Sequence, residues 1–368
     1  MTDRDKENNK GKKVFVAMSG GVDSSVVAGL MKEQGYDVFG VTMCFSISHP
    51  GSKKSSCCGV DGISDAQHVA QVLGVQHHVL DFAKEINACV IDDFTSEYLN
   101  GRTPNPCVRC NQYLKFGILY KKVMSMGADY LATGHYAKIS RDPATGCYEM
   151  KKADDAKKDQ SYFLYSVDKE ALPKILFPLG GMMKDEVRGL ARKYQLNVAG
   201  KLESQDICFV PDAGYKDFIR ERLGDSVFEP GDFKDPDGKV VGQHQGILNY
   251  TIGQRDKLGI ALGVPVYVYR IDKQTNTVYV GPQEKLYARG LTADRFNSVS
   301  MNIPFETMEV FARIRYNARE VKGFLTSLGE GRICFEFDEP QKAVTPGQSV
   351  VFYRDDVVLG GAVIEEII

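Results

Sequence analysis

Hydrophobic and polar positions follow two different periods along the chain, and the change of period separates an α/β part from a β part. Near the amino terminus, the run KKVFVAM is rich in β-branched residues and leads through SGGVDSS into VVAGLMKEQG, where apolar residues recur at helical spacing. This order predicts a strand, a glycine-rich loop and a helix. The alternation continues with a strand at YDVFGVTM, a helix at DAQHVAQVLGV, a strand at HHVLDF and a helix over residues 83–99. It predicts a parallel, doubly wound sheet.

Beyond residue 100 the pattern gives one more α/β unit and then changes. The run CVRCNQYLKFGILYKKVMSMG predicts a helix, and ADYLATGHYAKI predicts a further strand. From about Asp212, turns and short extended pieces mix, and from about Leu291 apolar and polar residues alternate. Strands joined by Gly and Pro turns are indicated at LTADRFNSVS, 308–316, GRICFEFDEP and QSVVFYRDDVVLGGAVIEEI, and they predict a small β-barrel.

The predicted fold class is therefore α/β, with four parts. These are a polar tail at residues 1–11, a doubly wound parallel-sheet domain at 12–212, a small central domain at 213–284 and a C-terminal β-barrel at 285–368. A chain of 368 residues with 43% hydrophobic content can fill several cores. The first ten residues are polar, and no stretch approaches the ~18 apolar residues of a membrane span. Nine cysteines at irregular spacing argue against a secreted disulfide framework, so we expect a soluble cytoplasmic protein in a reducing compartment.

The loop SGGVDSS stands where a strand turns into a helix, and backbone N–H groups at such a place can hold an anion. Its glycines allow close approach, and its serines offer hydroxyl donors. It matches neither the Walker A loop nor GxGxxG, and instead resembles the loop of the ATP pyrophosphatase family, which holds the departing pyrophosphate. In this setting Asp23 fits an organiser of Mg²⁺ or pyrophosphate. A plain glycine turn with a serine cap is the alternative.

A second candidate site is the helix that follows RTPNP. Asn105 suits the cap and Pro106 the first helical position, so Cys107 and Cys110 fall three apart on one face near the positive helix end, where a thiolate is favoured. Residues 102–122, which we call the basic stretch, contain five basic residues and no acid, and phosphate is a plausible target. Two half-buried thiols on a solvated basic helix remain the structural alternative.

The other cysteines carry weaker signals. Cys208 in LESQDICFVP lies in a loop-like segment and is ambiguous by itself, because an inert buried cysteine is common. The adjacent Cys57 and Cys58 could be structural or redox bystanders. No histidine cluster with zinc spacing accompanies CxxC, but three cysteines could hold an iron–sulfur cluster. Core packing is expected for the remaining four, which are Cys44, Cys89, Cys147 and Cys334.

With SGGVDSS, RTPNPCVRCNQYLKFG, ATGHYA, KDQSYFL and ESQDICFVP in this order, the chain resembles the tRNA 2-thiouridylases of the PP-loop, adenine nucleotide alpha hydrolase-like group over almost its whole length. The resemblance implies that ATP and Mg²⁺ activate the C2 oxygen of the wobble uridine, position 34 of tRNA, and that sulfur replaces this oxygen. It also implies a persulfide donor, such as a cysteine desulfurase or relay protein, and tRNA as partner.

Matching motif to motif, the resemblance assigns roles to individual residues. Cys110 corresponds to the nucleophile and Cys208 to the carrier of the persulfide. The ATP site would comprise Ala17, Met18, Ser19, Gly20, Gly21, Val22, Asp23, Ser24, Met43 and Gly134. Asn105, Pro106 and Cys107 would meet the target base. Other tRNA contacts would be His135, Lys158, Asp159, Gln160, Arg315, Tyr316 and Gln348.

One position departs from the family pattern, because many relatives carry Asp where this chain has Cys107. A thiol there permits a Cys107–Cys110 disulfide, or a [4Fe-4S] cluster held by Cys107, Cys110 and Cys208. An iron–sulfur-dependent thiolation is therefore one alternative. Others are a PP-loop synthetase that adenylates a small molecule, and a non-catalytic tRNA-binding or sulfur-carrier protein.

Charge does not mark the whole chain as a nucleic-acid binder, because 46 basic and 48 acidic residues give a net charge of −2. Residues 285–368 hold ten basic and twelve acidic residues, so a tRNA footprint there must be one face. Arg313, Arg315 and Arg319 would project to one side of an extended segment. An ordinary solvated strand face is the alternative.

Overall fold

The computed structural model describes residues 3–46, 60–201, 207–211, 214–301 and 305–368. Cys57, Cys58 and the predicted boundary at Asp212 lie outside these ranges. The strands are β1 Lys13–Ala17, β2 Asp37–Cys44, β3 Gln76–Asp81, β4 Tyr130–Thr133, β5 Lys138–Arg141, β6 Tyr148–Lys151, β7 Ile175–Leu176, β8 Gly231–Lys234, β9 Val240–His244, β10 Tyr267–Asp272, β11 Thr277–Gly281, β12 Tyr287–Ser298, β13 Thr307–Arg313, β14 Val321–Gly329, β15 Arg332–Lys342, β16 Ser349–Arg354 and β17 Val357–Ile367.

The α-helices are α1 Asp3–Asn9, α2 Val22–Glu33, α3 Val60–Leu73, α4 Ala83–Ile86, α5 Asp92–Leu99, α6 Pro106–Arg109, α7 Tyr120–Ser125, α8 Lys184–Lys193 and α9 Tyr215–Leu223. Two π-helical stretches, Asn87–Ile91 and Cys110–Leu119, join α4 to α5 and α6 to α7. The helices predicted over 83–99 and after RTPNP are thus present, each with a π-helical middle. Short 3₁₀ turns occur at Ser161–Phe163, Lys169–Lys174, Asn197–Gly200, Asp225–Val227, Ile247–Asn249 and Gln283–Leu286.

The first domain is the predicted doubly wound sheet. Its five strands run parallel in the order β3-β2-β1-β4-β7. On the central strand, Phe15 packs into the core on the side of α4–α7, whereas Val14 and Val16 pack into the core under α2, α3 and α8. Both faces of the sheet are covered, so the strand is apolar at every inner position instead of alternating. This confirms the α/β prediction.

The sequence predicted one strand over ADYLATGHYAKI, but the structure has two strands there. β4 ends at Thr133, and β5 begins at Lys138 in a different sheet, where it forms an antiparallel hairpin with β6. The break falls at Gly134, where an added Cβ would lie 2.8 Å from the Ser24 backbone nitrogen. The chain must turn there because the glycine loop after β1 occupies the space ahead.

The central domain has its own small core. Its four strands lie in the order β10-β11-β8-β9, and residues such as Phe233, Val268 and Val278 are fully buried beneath them. β11 pairs with β8 in parallel, and the other two pairs are antiparallel. The sequence predicted only turns and short extended pieces in this region.

The last domain is a closed barrel of six strands in the order β12-β15-β14-β13-β16-β17, because β12 also pairs with β17. The β5–β6 hairpin of the first domain adds to it through β17. The sequence missed β14. The prediction that three arginines project to one side of an extended segment was also wrong. β13 ends at Arg313, and a turn carries Arg315 and Arg319 out of the strand.

At the amino terminus, residues 3–9 form helix α1, where the sequence predicted only a polar tail. Across the described ranges, no helix combines the length and the apolar character needed to span a bilayer.

Candidate active site

The glycine loop connects β1 to α2 and leaves the start of that helix without a side-chain cap. Gly21 occupies the cap position in an extended conformation, and the Ser25 hydroxyl donates to its carbonyl oxygen at 2.7 Å. The Ser19 backbone N–H donates to the Ser24 hydroxyl at 3.1 Å, which ties the two ends of the loop together. Helix N–H groups that no side chain caps are suited to bind an anion.

Two close backbone approaches explain the glycines of this site. Gly20 has φ +73, and an added Cβ would lie 2.2 Å from the Gly62 carbonyl oxygen on α3. Gly134, after β4, lies against the backbone of Asp23 and Ser24. Gly134 therefore lies against the loop, and its role in the ATP site stays a prediction. Ala17 ends β1, the buried Met18 donates its N–H to the Val41 carbonyl, and Val22 begins α2. Met43 lies buried on β2, in the core on the α4–α7 side.

Asp23 has a partner that the sequence did not reveal. Lys184, the first residue of α8, donates from Nζ to Asp23 Oδ1 at 2.7 Å and to Oδ2 at 2.9 Å, and the Tyr136 hydroxyl donates to Oδ1 at 2.9 Å. Asp155, which is buried, accepts from the Lys184 backbone N–H at 3.1 Å and so holds the start of this helix. A cation thus stands beside the anion-binding loop. No motif or helix predicted from the sequence includes Lys184.

The helix with the paired cysteines begins at Asn105 and Pro106, as predicted, but Asn105 does not cap it with its side chain. That side chain instead hydrogen-bonds the hydroxyl of Tyr162, which is fully buried and donates to the Ser349 carbonyl oxygen at 2.8 Å. Cys107 is exposed, and Cys110 is half-buried. The first turn of the helix is therefore open to solvent on its thiol side and anchored on its other side.

The barrel holds the loop that enters this helix. Gln348 donates from Nε2 to the Thr103 carbonyl oxygen at 3.0 Å, and the Thr103 N–H donates to the Pro346 carbonyl at 2.9 Å. Between them Gly347 has φ +90, and an added Cβ would lie 2.9 Å from the Thr103 nitrogen. Gln348, predicted as a tRNA contact, positions the entry to the Cys110 helix in this structure.

Cys208 lies half-buried in the described segment 207–211. It packs against the same large core on which Cys110 packs. Its neighbour Phe209 is buried and meets the Phe94 ring of α5 with centroids 5.2 Å apart. The fold thus brings the two predicted sulfur-handling segments onto one core from positions about a hundred residues apart in the sequence.

Folding places acids beside two of the five basic residues of the basic stretch. Arg102 pairs with Glu97 at 2.7 Å, and the buried Arg109 pairs with Asp93 at 3.2 Å. Both acids belong to α5, which packs alongside. The sequence could not show this compensation, because the acids precede the stretch and fold back upon it.

His135 is half-buried, and its ring nitrogens both have partners within the protein. Its Nδ1 lies 2.7 Å from the Thr133 hydroxyl, its Nε2 lies 3.4 Å from Lys115 Nζ, and its ring contacts Phe116 and Phe177. Burial, and then the charge of Lys115, hold the pKa of His135 well below its usual range. The imidazole is therefore neutral at physiological pH.

In the triplet of Lys158, Asp159 and Gln160, the middle side chain is buried and the other two are half-buried. Asp159 is 3% exposed and accepts from the Ser161 hydroxyl at 2.9 Å and from Arg313 Nη1 at 3.2 Å. Gln160 accepts from the Tyr136 N–H at 3.1 Å. Lys158 is partly exposed. Asp159 therefore joins the barrel to the first domain, and Gln160 holds Tyr136 beside the loop site, while their role as RNA contacts stays a prediction.

The pair Arg315 and Tyr316 lies in the turn after β13. Arg315 is exposed, whereas the Tyr316 ring lies 4.6 Å from the Phe163 ring centroid. Arg313 donates to Glu320 at 2.9 Å as well as to Asp159, so it is part of the junction between domains. Arg315 is thus the outward cation of this turn.

Among the remaining cysteines, Cys44, Cys89 and Cys334 are half-buried, and the core prediction was wrong for Cys147, which is exposed before β6. Within the described residues, the structure gathers no three His, Cys, Asp or Glu side chains that could hold a metal ion. Cys107, Cys110 and Cys208 are all described, so they do not form the arrangement that a shared cluster requires.

Known proteins match this chain over most of its length. Three family models match: one described as tRNA methyl transferase HUP domain over residues 12–212, one as tRNA methyl transferase PRC-barrel domain over 216–282, and one as aminomethyltransferase beta-barrel domain over 288–364. A protein of Carboxydothermus hydrogenoformans named tRNA-specific 2-thiouridylase MnmA is 49% identical over 96% of this chain and 98% of its own. The protein of the same name from Acetivibrio thermocellus is 47% identical over 96% and 99%.

Likeness to solved structures is more distant. A 4-thiouridine synthetase in an RNA complex with bound ATP is 16% identical, with a TM-score of 0.35 over 58% of this chain and 51% of that chain. This likeness is too low to carry an argument about function.

Proposed function

The chain belongs to the tRNA-specific 2-thiouridylase MnmA family, and we propose that Cys110 and Cys208 transfer sulfur to C2 of the wobble uridine of its tRNA substrate. The activity is that of a tRNA-uridine 2-sulfurtransferase, an ATP-using enzyme of tRNA modification. The observation that carries the residue assignment is the placement of Cys110: it lies half-buried in the first turns of a helix that the barrel anchors, on the core that Cys208 shares.

Adenylation comes first, because the C2 oxygen of uridine is a poor leaving group. The oxygen attacks the α-phosphorus of ATP, pyrophosphate departs, and the former carbonyl oxygen becomes part of AMP. The N–H groups of the uncapped helix start face the departing charge, and Lys184 stands beside them on Asp23. A phosphate in the loop would compete with Asp23 for Lys184, so this lysine can follow the developing negative charge.

Magnesium is implied by the resemblance and was expected at Asp23. The residues do not fit that ion as arranged, because both Asp23 oxygens accept from Lys184 Nζ, and a divalent cation there would meet a like charge. We therefore assign no step to magnesium. The role of Asp23 that fits its contacts is to hold Lys184 and Tyr136 at the loop.

Sulfur transfer follows, with AMP as the leaving group. The terminal sulfur of a Cys208 persulfide bonds to C2, AMP leaves, and the Cys110 thiolate attacks the Cys208 sulfur and breaks the S–S bond. The electron pair of that bond stays with the sulfur on C2, and a Cys110–Cys208 disulfide remains, which a reductant reopens with two electrons. In the other order, Cys110 first releases hydrosulfide from the persulfide, and hydrosulfide attacks C2.

The partners follow from this scheme. A protein persulfide, of the kind that a cysteine desulfurase forms, supplies sulfur to Cys208. The target uridine leaves its stack and enters beside Asn105, Pro106 and Cys107. Lys158 and Arg315 are the outward cations proposed to contact the tRNA backbone.

Thiolation of a tRNA transcript, measured by mass spectrometry of its nucleosides, tests the relay. We expect no 2-thiouridine from Cys110→Ser or from Cys208→Ser, and unchanged formation from the control Cys147→Ser, whose thiol is exposed and outside the scheme. The same spectra distinguish exchange of oxygen for sulfur from addition of a methyl group. Full activity in either relay variant would remove that cysteine from the mechanism.

The cluster-dependent alternative has a separate test. Iron is removed and quantified, and thiolation is measured with a defined persulfide donor. Activity that rises with bound iron, and is absent without it, would favour the cluster over the relay. Activity that persists in iron-free protein would exclude the cluster.

A further inference from the structure

A polar cavity of about 430 Å³ lies between helix α9 and the rest of the central domain, and none of the residues assigned above lines it. Lys216 and Arg220 contribute from one face of α9, because residues four apart lie on the same side of a helix. The rest of the central domain contributes Lys257 and the polar side chains of Gln245 and Asn249. The cavity thus gathers three cations from two separate segments of the chain.

The cations of this cavity are not all balanced by acids. Arg220 donates to Asp225 at 2.7 Å and to Asp217 at 3.0 Å, so its charge is compensated. Lys216 instead donates to a neutral acceptor, the Asn249 carbonyl oxygen, at 2.9 Å. Burial, and then the charge of Lys257, lower the pKa of Lys216. Two lysines that face one cavity repel each other, and an anion between them would relieve that repulsion.

The size and the position of the cavity indicate which anion. A single phosphate ion would fill only part of the volume, whereas a backbone phosphate with its flanking riboses would occupy it more fully. Phe218 of α9 packs against Phe209 with the ring centroids 5.3 Å apart, and Phe209 is the residue after Cys208. The helix that carries Lys216 is therefore packed directly on the proposed persulfide segment.

We propose that this cavity is a binding site for a backbone phosphodiester of the tRNA substrate, held by Lys216 and Lys257. The proposal rests on the proposed function, since it names where part of the tRNA is bound. It gives the central domain a role: to hold the RNA while the uridine enters beside Cys110. It also supplies positive charge at a place apart from the basic stretch.

Affinity for a tRNA transcript, measured across a range of salt concentrations, tests this site. Lys257→Glu changes an exposed turn residue and should weaken binding about threefold to tenfold, and the slope of log K against log salt should become shallower by about one unit. Lys216→Met should do the same. In thiolation assays, KM for tRNA should rise by the same factor while kcat stays within about twofold.

The matched control is Lys239→Glu, which changes an exposed lysine of the same domain outside the cavity. An effect equal to that of Lys257→Glu would overturn the proposal, because tRNA affinity would then depend on the overall positive charge of the domain and not on the cavity. So would wild-type affinity and slope in both cavity variants. A third result would also overturn the proposal. Inorganic phosphate would raise the melting temperature of the wild-type protein but not of Lys216→Met, while both proteins bind tRNA equally well. The cavity would then bind a free anion and not the tRNA backbone.

The failure of this proposal differs visibly from the failure of the proposed function. If wild-type protein thiolates tRNA and the cavity variants bind it normally, only the site is wrong. If wild-type protein forms no 2-thiouridine with ATP and a persulfide donor, the function itself is wrong.

Discussion

The basic stretch and the cavity beside α9 both gather cations, but folding treats them in opposite ways. The basic stretch has five basic residues and no acid in the sequence, yet Glu97 and Asp93 of α5 neutralise Arg102 and Arg109. Helix α9 mixes acids and bases, yet it places Lys216 at a cavity that Lys257 also faces. Charge excess along a chain and charge excess in space are therefore different quantities, and only the second binds a phosphate.

Folding also brings a cation to the glycine-loop site, and substitution of that cation should have the largest effect of those predicted here. Folding brings Lys184 to Asp23 from 161 positions away. Lys184→Met should lower the rate of tRNA-dependent AMP formation about a hundredfold or more, because a positioned cation at the departing pyrophosphate is lost. Affinity for tRNA should not change.

The control for this prediction is Lys193→Met at the other end of α8, where the lysine side chain is 60% exposed and pairs with Glu33. It should keep wild-type AMP formation. A rate for Lys184→Met close to that of the control would show that the lysine only stabilises the fold.

Substitution of a paired arginine in the basic stretch should lower the stability of the folded protein. Arg109→Met removes the closer of the two arginines that pair with Asp93, since Arg295 stays at 3.7 Å, and should lower the free energy of unfolding by about 1 kcal/mol. Denaturant unfolding measures this change. Lys121→Glu, on an exposed position of the same stretch, should leave stability unchanged.

The two variants also bear on the comparison itself. If the stretch is compensated, Lys121→Glu should alter tRNA affinity less than Lys257→Glu. An equal or greater loss of affinity would mean that the basic stretch binds RNA directly, and the contrast with the cavity would fail.

The smallest expected effect is on the pH dependence of stability. The pKa of His135 is lowered in the folded protein, so below about pH 6.5 the unfolded chain binds more protons at this position, and stability falls as pH falls. His135 should contribute about 1 kcal/mol of loss per pH unit in that range. Between pH 7 and pH 5.5, His135→Gln should lose correspondingly less free energy of unfolding than wild-type protein. Identical pH dependence in both proteins would mean that the imidazole is not held neutral by burial.

Much of the fold could be predicted from the sequence, because each strand and helix carries its own period. The parallel sheet, the helix after RTPNP and the terminal barrel follow from local patterns. The break at Gly134 and the strand β14 do not. At Gly134 the chain turns to meet a loop more than a hundred residues earlier, and no local pattern contains that contact.

The residues of the candidate site also fall into two groups, those that local motifs predict and those that only folding brings together. Motifs gave the loop, Gly134 and the two cysteines, whereas the partner residues arise only on folding. Lys184 reaches Asp23, Gln348 holds Thr103, and Arg313 joins Asp159. Asp159 and Gln348 stay predicted RNA contacts, and no local pattern contains the contacts that they make within the chain.

The most direct test of the central claim is a single turnover with protein carrying a persulfide on Cys208, ATP and tRNA, without reductant, followed by peptide mapping. The account predicts one disulfide that joins the peptides of Cys110 and Cys208 for each 2-thiouridine formed, with one AMP released. Formation of 2-thiouridine without that disulfide-linked peptide would contradict it.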